Sequence, residues 1–336
     1  SRGVLTTKET YLLEISENNK KGIGECAIFR GLSYDDVPDY EEKLTWLCKN
    51  INLDFEVLKK ELLHYPSIIF GLEQALLNLE HGEDLYFPSD FTDGKDSIKI
   101  NGLIWMGNAD FMQSQIEEKL AKGFDCIKLK IGVDWKSEKE IIKKLREKFP
   151  KEQLELRVDA NGAFSYEEAR MVLQELADLG IHSIEQPIKK SEVRSPKSEE
   201  NSEKKSTDCC VPWNEMAKLC AETPTPIALD EELIGVIDFE EKKKLLETIK
   251  PQYIILKPAL VGGFSGSDEW IVLAESLGID WWITSALESN IGLNAICQYT
   301  YTKKNPLPQG LGTGALFTNN FETHLQLEGD QMWHKK

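Results

Sequence analysis

The sequence predicts an α/β fold: a (β/α)8-type (modified TIM) barrel preceded by a small α+β capping domain. Three observations predict it. From residue 97 onward, apolar strand-like stretches alternate with stretches of helical periodicity. Eight such strands fall within about 230 residues, the span of one closed barrel. Six of the strand ends carry an ionisable residue at a near-constant interval.

The first 90 or so residues have a different texture. "TYLLEIS", a turn at "ENNKKG" and "GIGECAIF" read as a β-hairpin. In "SIIFGLEQALLNLEHG", Phe70, Leu72, Ala75, Leu76 and Leu79 recur at helical spacing, and Gly82 is a natural stop. The alternation then begins: "SIKINGLIWMG" before "FMQSQIEEKLAKG", "FDCIKLKIG" before "SEKEIIKKLREKF", "LELRVDANG" before "SYEEARMVLQELADLG". "IHSIEQPI", "PIALDEEL", "YIILKPALVGG", "DWWITSALES" and "GLGTGALF" complete the eight. A doubly wound open sheet would want a glycine-rich phosphate loop after an early strand; the "GKD" at 94–96 is not one. Residues 189–208, "KKSEVRSPKSEENSEKKSTD", are almost wholly polar and read as a mobile insertion after the fourth barrel strand. The expected division is 1–96 for the capping domain and 97–318 for the barrel, with 319–336 returning to the cap.

With 336 residues, 41% of them hydrophobic, the chain can build a large core. A formal net charge of −17 disfavours non-specific binding to nucleic acid or an anionic membrane. The seven cysteines are an odd number without a CxxC pair, which fits free thiols in a reducing, cytoplasmic setting. No apolar run approaches the roughly 20 residues of a membrane helix, and no secretory signal opens the sequence. The abrupt start at "SRGVLTTKETYLLEI", without an initiator Met, suggests that a capping-domain strand is missing.

The strand ends carry the chemistry. Lys130 closes the second strand, Asp159 the third, Glu185 the fourth, Asp230 the fifth, Lys257 the sixth and Glu288 the seventh. The intervals are 29, 26, 45, 27 and 31 residues, and subtracting the 20-residue insertion reduces 45 to 25. Side chains two apart on a strand share a face. Lys128 and Lys130 therefore oppose Ile127, Leu129 and Ile131, and Arg157 and Asp159 oppose Leu156 and Val158. In a barrel the apolar set packs on helices, so the charged set converges on the mouth at the C-terminal ends of the strands. A lone Asp after a strand is usually a turn or cap residue. Three carboxylates and three lysines in register need partners or a metal.

Asp159, Glu185 and Asp230 supply oxygen-only ligation, which suits Mg2+, with Mn2+ as a substitute. Nothing resembles a zinc set, and histidines such as His64 and His182 lack ligand spacing. Lysines on both sides of such a metal suggest proton work. Lys128 beside Lys130 is expected to disfavour the ammonium form and prepare Lys130 as a base. Lys257, from across the barrel, would hold the resulting anion or act from the opposite face.

At these residues the sequence resembles the enolase superfamily, in its muconate-cycloisomerase-like branch, over essentially the whole chain. "GIGEC", "KLK", "VDANG", "IEQP", "ALDE" and "LKPALVGG" stand in the family's order. "SRGVL", "INGLIWMG", "RVDANGAF" and "SALESNIGL" are most similar to the o-succinylbenzoate synthases of menaquinone biosynthesis. The resemblance implies a lyase that dehydrates a cyclohexadiene carboxylate by syn elimination. Lys130 would take the proton next to the carboxylate and return it to the departing hydroxyl. Lys257 would stabilise the anion over the other ring face. The resemblance further implies that Arg157 supports Asp159, that Asn161 orients the metal shell, and that Ser285 and Ser289 contact substrate carboxylates. Arg30 to Ser33 would close over the substrate as a lid.

Two other readings compete. A dipeptide epimerase or N-acylamino-acid racemase on the same scaffold would use the two lysines as opposed bases. Such epimerases carry an Asp-x-Asp motif near the eighth strand, where this chain has "GLGTGALF". A non-catalytic barrel serving as a binding protein would be marked by a lost carboxylate or lysine, and all are present.

Overall fold

A computed structural model describes residues 6–105, 107–190 and 213–335. Most of the polar insertion expected at 189–208 lies outside the described residues, as do Cys209 and Cys210.

The chain opens with the expected hairpin, β1 (Tyr11–Glu17) and β2 (Lys20–Cys26), paired antiparallel. The turn is tighter than "ENNKKG" suggests. Asn18 and Asn19 alone make it, both with positive φ, the backbone that a two-residue hairpin turn demands. Helices α1 (Tyr40–Asn50), α2 (Phe55–Glu61) and α3 (Pro66–His81) follow. Pro66 opens α3 and Gly82, at φ +75, closes it. Helix α3 lies directly on β2, where a Cβ at Gly24 would meet Gly71 O at 1.9 Å. That clearance is why the strand reads "GIGEC". Leu13, Cys26, Ile28, Leu47, Leu58, Ile68, Leu72 and Ala75 form the core of this cap.

The barrel strands follow β3 (Ile98–Lys99). They are β4 (Gly102–Ile104), β5 (Cys126–Lys130), β6 (Glu155–Asp159), β7 (Ser183–Glu185), β8 (Ile227–Leu229), β9 (Tyr253–Leu256) and β10 (Asp280–Ile283). All seven run parallel, each beside its predecessor. The helices between them are α4 (Ala109–Ala121), α5 (Trp135–Lys148), α6 (Tyr166–Asp178), α7 (Asn214–Glu222) and α8 (Phe239–Ile249), then the single turn α9 (Pro258–Val261) and α10 (Gly263–Ser276). Helix α11 (Asn290–Lys303) follows β10. The eighth position is shorter than the stretch "GLGTGALF". Only Gln309 and Gly310 bridge, to Ile100 on one side and Thr284 on the other. Four backbone hydrogen bonds of 2.8–3.0 Å close the ring there, two to Lys99 and Asn101 and two to Ile283 and Ser285. The glycine-rich stretch beyond has little side chain to pack on a pleated surface, so it continues as turns.

The strand alternation sorts the residues as expected. Ile127, Leu129, Leu156, Val158, Ile184, Leu229, Ile254 and Leu256 join the main core against the helices. Ala228, Ile255 and Trp282 form a separate inner cluster. The C-terminal hairpin, β11 (Leu325–Glu328) and β12 (Gln331–His334), adds to β3 rather than to the β1–β2 sheet. Among the described residues, no helix is long and apolar enough to cross a membrane.

Two buried carboxylates fasten the cap to the barrel. Glu73 of α3 accepts hydrogen bonds from Phe264 N–H and Ser265 N–H in the first turn of α10. Glu25 of β2 accepts from Ser289 N–H and Gly292 N–H at the start of α11, each at 3.0 Å. These are the donors that a helix leaves unpaired at its N-terminus, where the helix dipole also favours an anion. Both helices carry a glycine where the carboxylate enters. A Cβ at Gly263 would lie 2.2 Å from Glu73 Oε2, and one at Gly292 would lie 2.7 Å from Glu25 Oε2.

Candidate active site

The register aligns the charged residues. Lys130 pairs with Asp159 and Asp159 with Glu185 across β5, β6 and β7. Asp230 and Lys257 follow β8 and β9 directly. Asp159, Glu185 and Asp230 are each at most 2% exposed. Lys128 donates to Glu185 Oε2 at 2.8 Å and lies 3.5 Å from Asp159 Oδ2. Lys130 donates to Asp159 Oδ2 at 2.9 Å and to Asn161 Oδ1 at 2.5 Å. Lys257 donates to Asp230 and lies 4.0 Å from Glu185 Oε1. Three carboxylates thus meet three ammonium groups inside the barrel mouth. The side chain of Lys130 is 19% exposed, against 8% for Lys128 and 13% for Lys257, so Lys130 reaches furthest toward solvent.

The electrostatics divide this set. Burial would raise Asp159, but the ammonium groups of Lys130 and Lys128 outweigh it and hold its carboxyl well below the usual range. Burial, with Asp159 close by, pushes Glu185 up to about 7. Burial also raises Asp230, against the pull of Lys257. Lys257 and Lys128 are both raised: burial would lower them, and the carboxylates overcome it. This corrects the expected role of Lys128. Its charge is matched by Glu185 and Asp159, so it is a counter-ion of the carboxylates rather than an uncompensated charge beside Lys130.

The donor set fits a hard divalent cation. Every candidate ligand is a carboxylate oxygen, and Glu185 Oε1 is buried without a hydrogen-bond partner. A carboxylate oxygen left bare beside two further carboxylates is poorly solvated by protein and well suited to an ion.

The turns after these strands are strained. Asn161, Gln186 and Leu287 have φ of +44°, +39° and +63°. Non-glycine residues held there cost about 1–3 kcal/mol each and concentrate at functional sites. Asn161 turns its amide N–H onto Asp159 Oδ1 at 3.0 Å, while its side chain joins Lys130 to Glu231 Oε1. Gln186 is fully buried, and its Oε1 accepts from Asp230 N–H and Glu232 N–H. Sequence reasoning missed Gln186 and Glu231, although each stands next to a candidate ligand, in "IEQP" and "ALDE".

Other expected residues lie elsewhere. The Arg157 guanidinium turns to the barrel floor, stacking 4.1 Å above the Trp282 ring and donating to Glu155 and Pro308 O. It occupies the layer below Asp159, because two residues of strand separate them. Glu288 follows β10 by five residues and is fully buried away from the strand ends, accepting from Ser285 Oγ at 2.5 Å and Ala286 N–H at 3.0 Å. The Ser289 hydroxyl donates to Glu25 at 2.5 Å. Arg30 pairs with Glu9 and Asp36, and Ser33 Oγ accepts from Phe29 N–H, so both brace the loop itself. Its neighbours Leu32 and Tyr34 instead pack on Ile234, Leu260 and Ala286, which follow the three successive barrel strands β8, β9 and β10. The loop therefore lies over the mouth through apolar contacts of Leu32 and Tyr34.

Known proteins match this architecture. The family model described as "Enolase C-terminal domain-like" matches residues 112–198. The chain is 42% identical to the o-succinylbenzoate synthase of Desulfotalea psychrophila, over 98% of this chain and 93% of that one. The crystal structure of MenC from Desulfotalea psychrophila LSv54 superposes with a TM-score of 0.83 at 40% identity, covering 96% of this chain and 94% of that one. The L-Ala-D/L-Glu epimerase from Bacillus subtilis, in a substrate-liganded complex, shares the fold at a TM-score of 0.76 and 20% identity, covering 97% and 88%. On fold, length and sequence together, the chain belongs to the o-succinylbenzoate synthase family of the enolase superfamily.

Proposed function

We infer that the chain is a lyase that dehydrates 2-succinyl-6-hydroxy-2,4-cyclohexadiene-1-carboxylate to 2-succinylbenzoate. One observation carries the reading at the level of residues: three buried carboxylates ringed by three lysines at the mouth of a barrel. In this reading Asp159, Glu185 and Asp230 hold Mg2+. When bound, the cation supplies Lewis-acid stabilisation of negative charge developing on the substrate carboxylate.

Deprotonated Lys130, nearest the solvent, takes the proton from the ring carbon bearing the carboxylate. The electron pair moves into that carboxylate as an enediolate. The Lys257 ammonium, on the Asp230 side of the set, faces the anion with a held positive charge. The Lys130 ammonium then gives its proton to the hydroxyl on the adjacent carbon. The C–O bond breaks, water leaves and the ring becomes aromatic. One residue serves as base and then acid, so proton and hydroxyl leave from one face. Asn161, bonded to Lys130, holds its head group in place between the two steps. Lys128 keeps Glu185 and Asp159 in register. Leu32 and Tyr34 exclude water from the mouth. The same reading takes 1–96 as cap, 97–318 as barrel and 319–336 as a C-terminal segment.

The test is spectrophotometric. Loss of the cyclohexadiene carboxylate is followed with Mg2+ and with EDTA, for the wild type and Lys130→Ala. Fast loss that needs both Mg2+ and Lys130 is expected. A folded, Mg2+-binding protein that leaves the substrate untouched, yet exchanges the α-proton of N-acylamino acids in deuterated water, would overturn the reading in favour of a racemase.

A further inference from the structure

We propose that Asp84, His324 and His334 form a second metal site, for a divalent transition-metal ion of the zinc type, which clamps the C-terminal hairpin to the turn after α3. The three are remote in sequence, which hides them from any reading of ligand spacing. Asp84 lies in the turn after α3, His324 just before β11, and His334 at the end of β12.

The ligand atoms already converge. Asp84 Oδ2 lies 2.6 Å from His324 Nδ1 and 3.0 Å from His334 Nε2, and all three atoms lie within 4.8 Å of one another. Metal–nitrogen bonds of about 2.0–2.1 Å in a tetrahedron place ligand atoms roughly 3.3 Å apart. A shift of less than about 1 Å by the Asp84 carboxylate brings both of its distances to that spacing, and the two imidazole nitrogens, within 4.8 Å of each other, reach it by turning their rings.

The backbone presets the ligands from both sides. Leu325 and His334 are cross-strand partners, and Lys335 N–H donates to His324 O at 2.8 Å. The two imidazoles are therefore neighbours, edge to face, with ring centroids 5.4 Å apart. On the other side, the Asp84 carbonyl accepts from Asn294 Nδ2 at 2.9 Å and Gln298 Nε2 at 2.8 Å, both on α11. One wall of the site thus belongs to the turn after α3, held by the barrel helix α11, and the other to the hairpin.

Two atoms are left over. Asp84 Oδ1 and His334 Nδ1 are buried without a hydrogen-bond partner. Asp84 Oδ1 is a second carboxylate oxygen available to the same ion. Two imidazoles and one carboxylate suit zinc-type ions, whereas Mg2+ takes oxygen ligands, so this site and the catalytic carboxylates select different metals. The His334 ring is fully buried and His324 exposed, which leaves an entry path and a position for water.

The experiment uses the whole chain with excess Mg2+, so that the catalytic carboxylates stay occupied. Zn2+ is titrated by calorimetry, and Tm is read with and without it. One equivalent is expected to bind and raise Tm. His324→Ala, at an exposed position, and Asp84→Asn should each weaken Zn2+ binding roughly tenfold or more and abolish the rise, with the Mg2+-dependent activity of His324→Ala unchanged. Co2+ should show the visible bands of an imidazole-bound ion in the wild type but not in His324→Ala. Absence of Zn2+ binding, or equal affinity and an equal Co2+ spectrum in wild type and His324→Ala, would overturn the proposal. In that case the three residues are a hydrogen-bonded clasp only.

Discussion

Replacing Lys128 with Met tests whether this lysine is a counter-ion of the carboxylates. Its ammonium is 2.8 Å from Glu185 and 3.5 Å from Asp159, and all three groups are buried. Met keeps most of the length and apolar volume, so packing changes little and the charge is what is lost. Removing one partner of a buried, hydrogen-bonded ion pair costs about 3–5 kcal/mol, because the other charge stays behind unpaired. For a chain of this size, at roughly 2 °C per kcal/mol, Tm should fall by about 6–10 °C in EDTA. The unpaired carboxylates belong to the inferred cation site, so Mg2+ should restore more of the Tm in the variant than it adds to the wild type. The assay is a pair of melts, with Mg2+ and with EDTA, for both proteins. A Lys128→Met protein as stable as the wild type in EDTA, or one indifferent to Mg2+, would refute the counter-ion role.

The remaining predictions concern the base and the cap. Lys130→Ala should lower kcat by roughly 10²–10⁴-fold while calorimetry finds Mg2+ affinity intact, since it removes a proton carrier and not a ligand. The Glu73 carboxyl, pushed by burial to about 7 against the hydrogen bonds from Ser265 and Phe264, binds a proton more tightly folded than unfolded. Its contribution is therefore fully present below pH about 4.5 and lost as pH rises through about 7, a change of roughly 3 kcal/mol. Glu73→Gln, which mimics the protonated form, should flatten urea-measured stability between pH 5 and 8; an unchanged pH slope would count against this. Glu25→Ala strands the Ser289 and Gly292 amides and should cost about 3 kcal/mol in urea denaturation.

The barrel was legible because period and charge agreed. Strands β5 to β9 announce themselves by ionisable residues alternating with Ile, Leu and Val, and the helices by their apolar stripes. The inward face followed from alternation alone, which is why Asp159, Glu185, Asp230, Lys130 and Lys257 were found together. What escaped the sequence depends on direction within a turn or on contact between distant segments. Arg157 shares a face with Asp159, yet its long side chain runs to the opposite end of the barrel to reach Glu155 and Trp282. Glu288 fitted the interval, but it lies beyond the strand in a turn bent by Leu287 at positive φ. Glu25 gave no sign of its role in joining cap to barrel, because its partners at the start of α11 stand more than 260 residues away. The glycines that receive these carboxylates, Gly263 and Gly292, were visible in "LVGG" and "SNIGL" as motifs without a stated cause.

The two carboxylates that enter the N-termini of α10 and α11 also bear on how substrate gets in and out. To swing the cap away as a unit, the chain would have to draw Glu25 and Glu73 from sockets in which backbone amides are their partners. Four amide donors and two carboxyl groups would be left to find water at once. The loop from Phe29 to Asp36 rests on the barrel through the side chains of Leu32 and Tyr34 and keeps its shape through its own hydrogen bonds. In the proposed reading access would be a matter for a hatch and not for a hinge. In that reading each turnover would disturb a few apolar contacts at the rim, while the frame that aligns the lysines with the carboxylates stays in place.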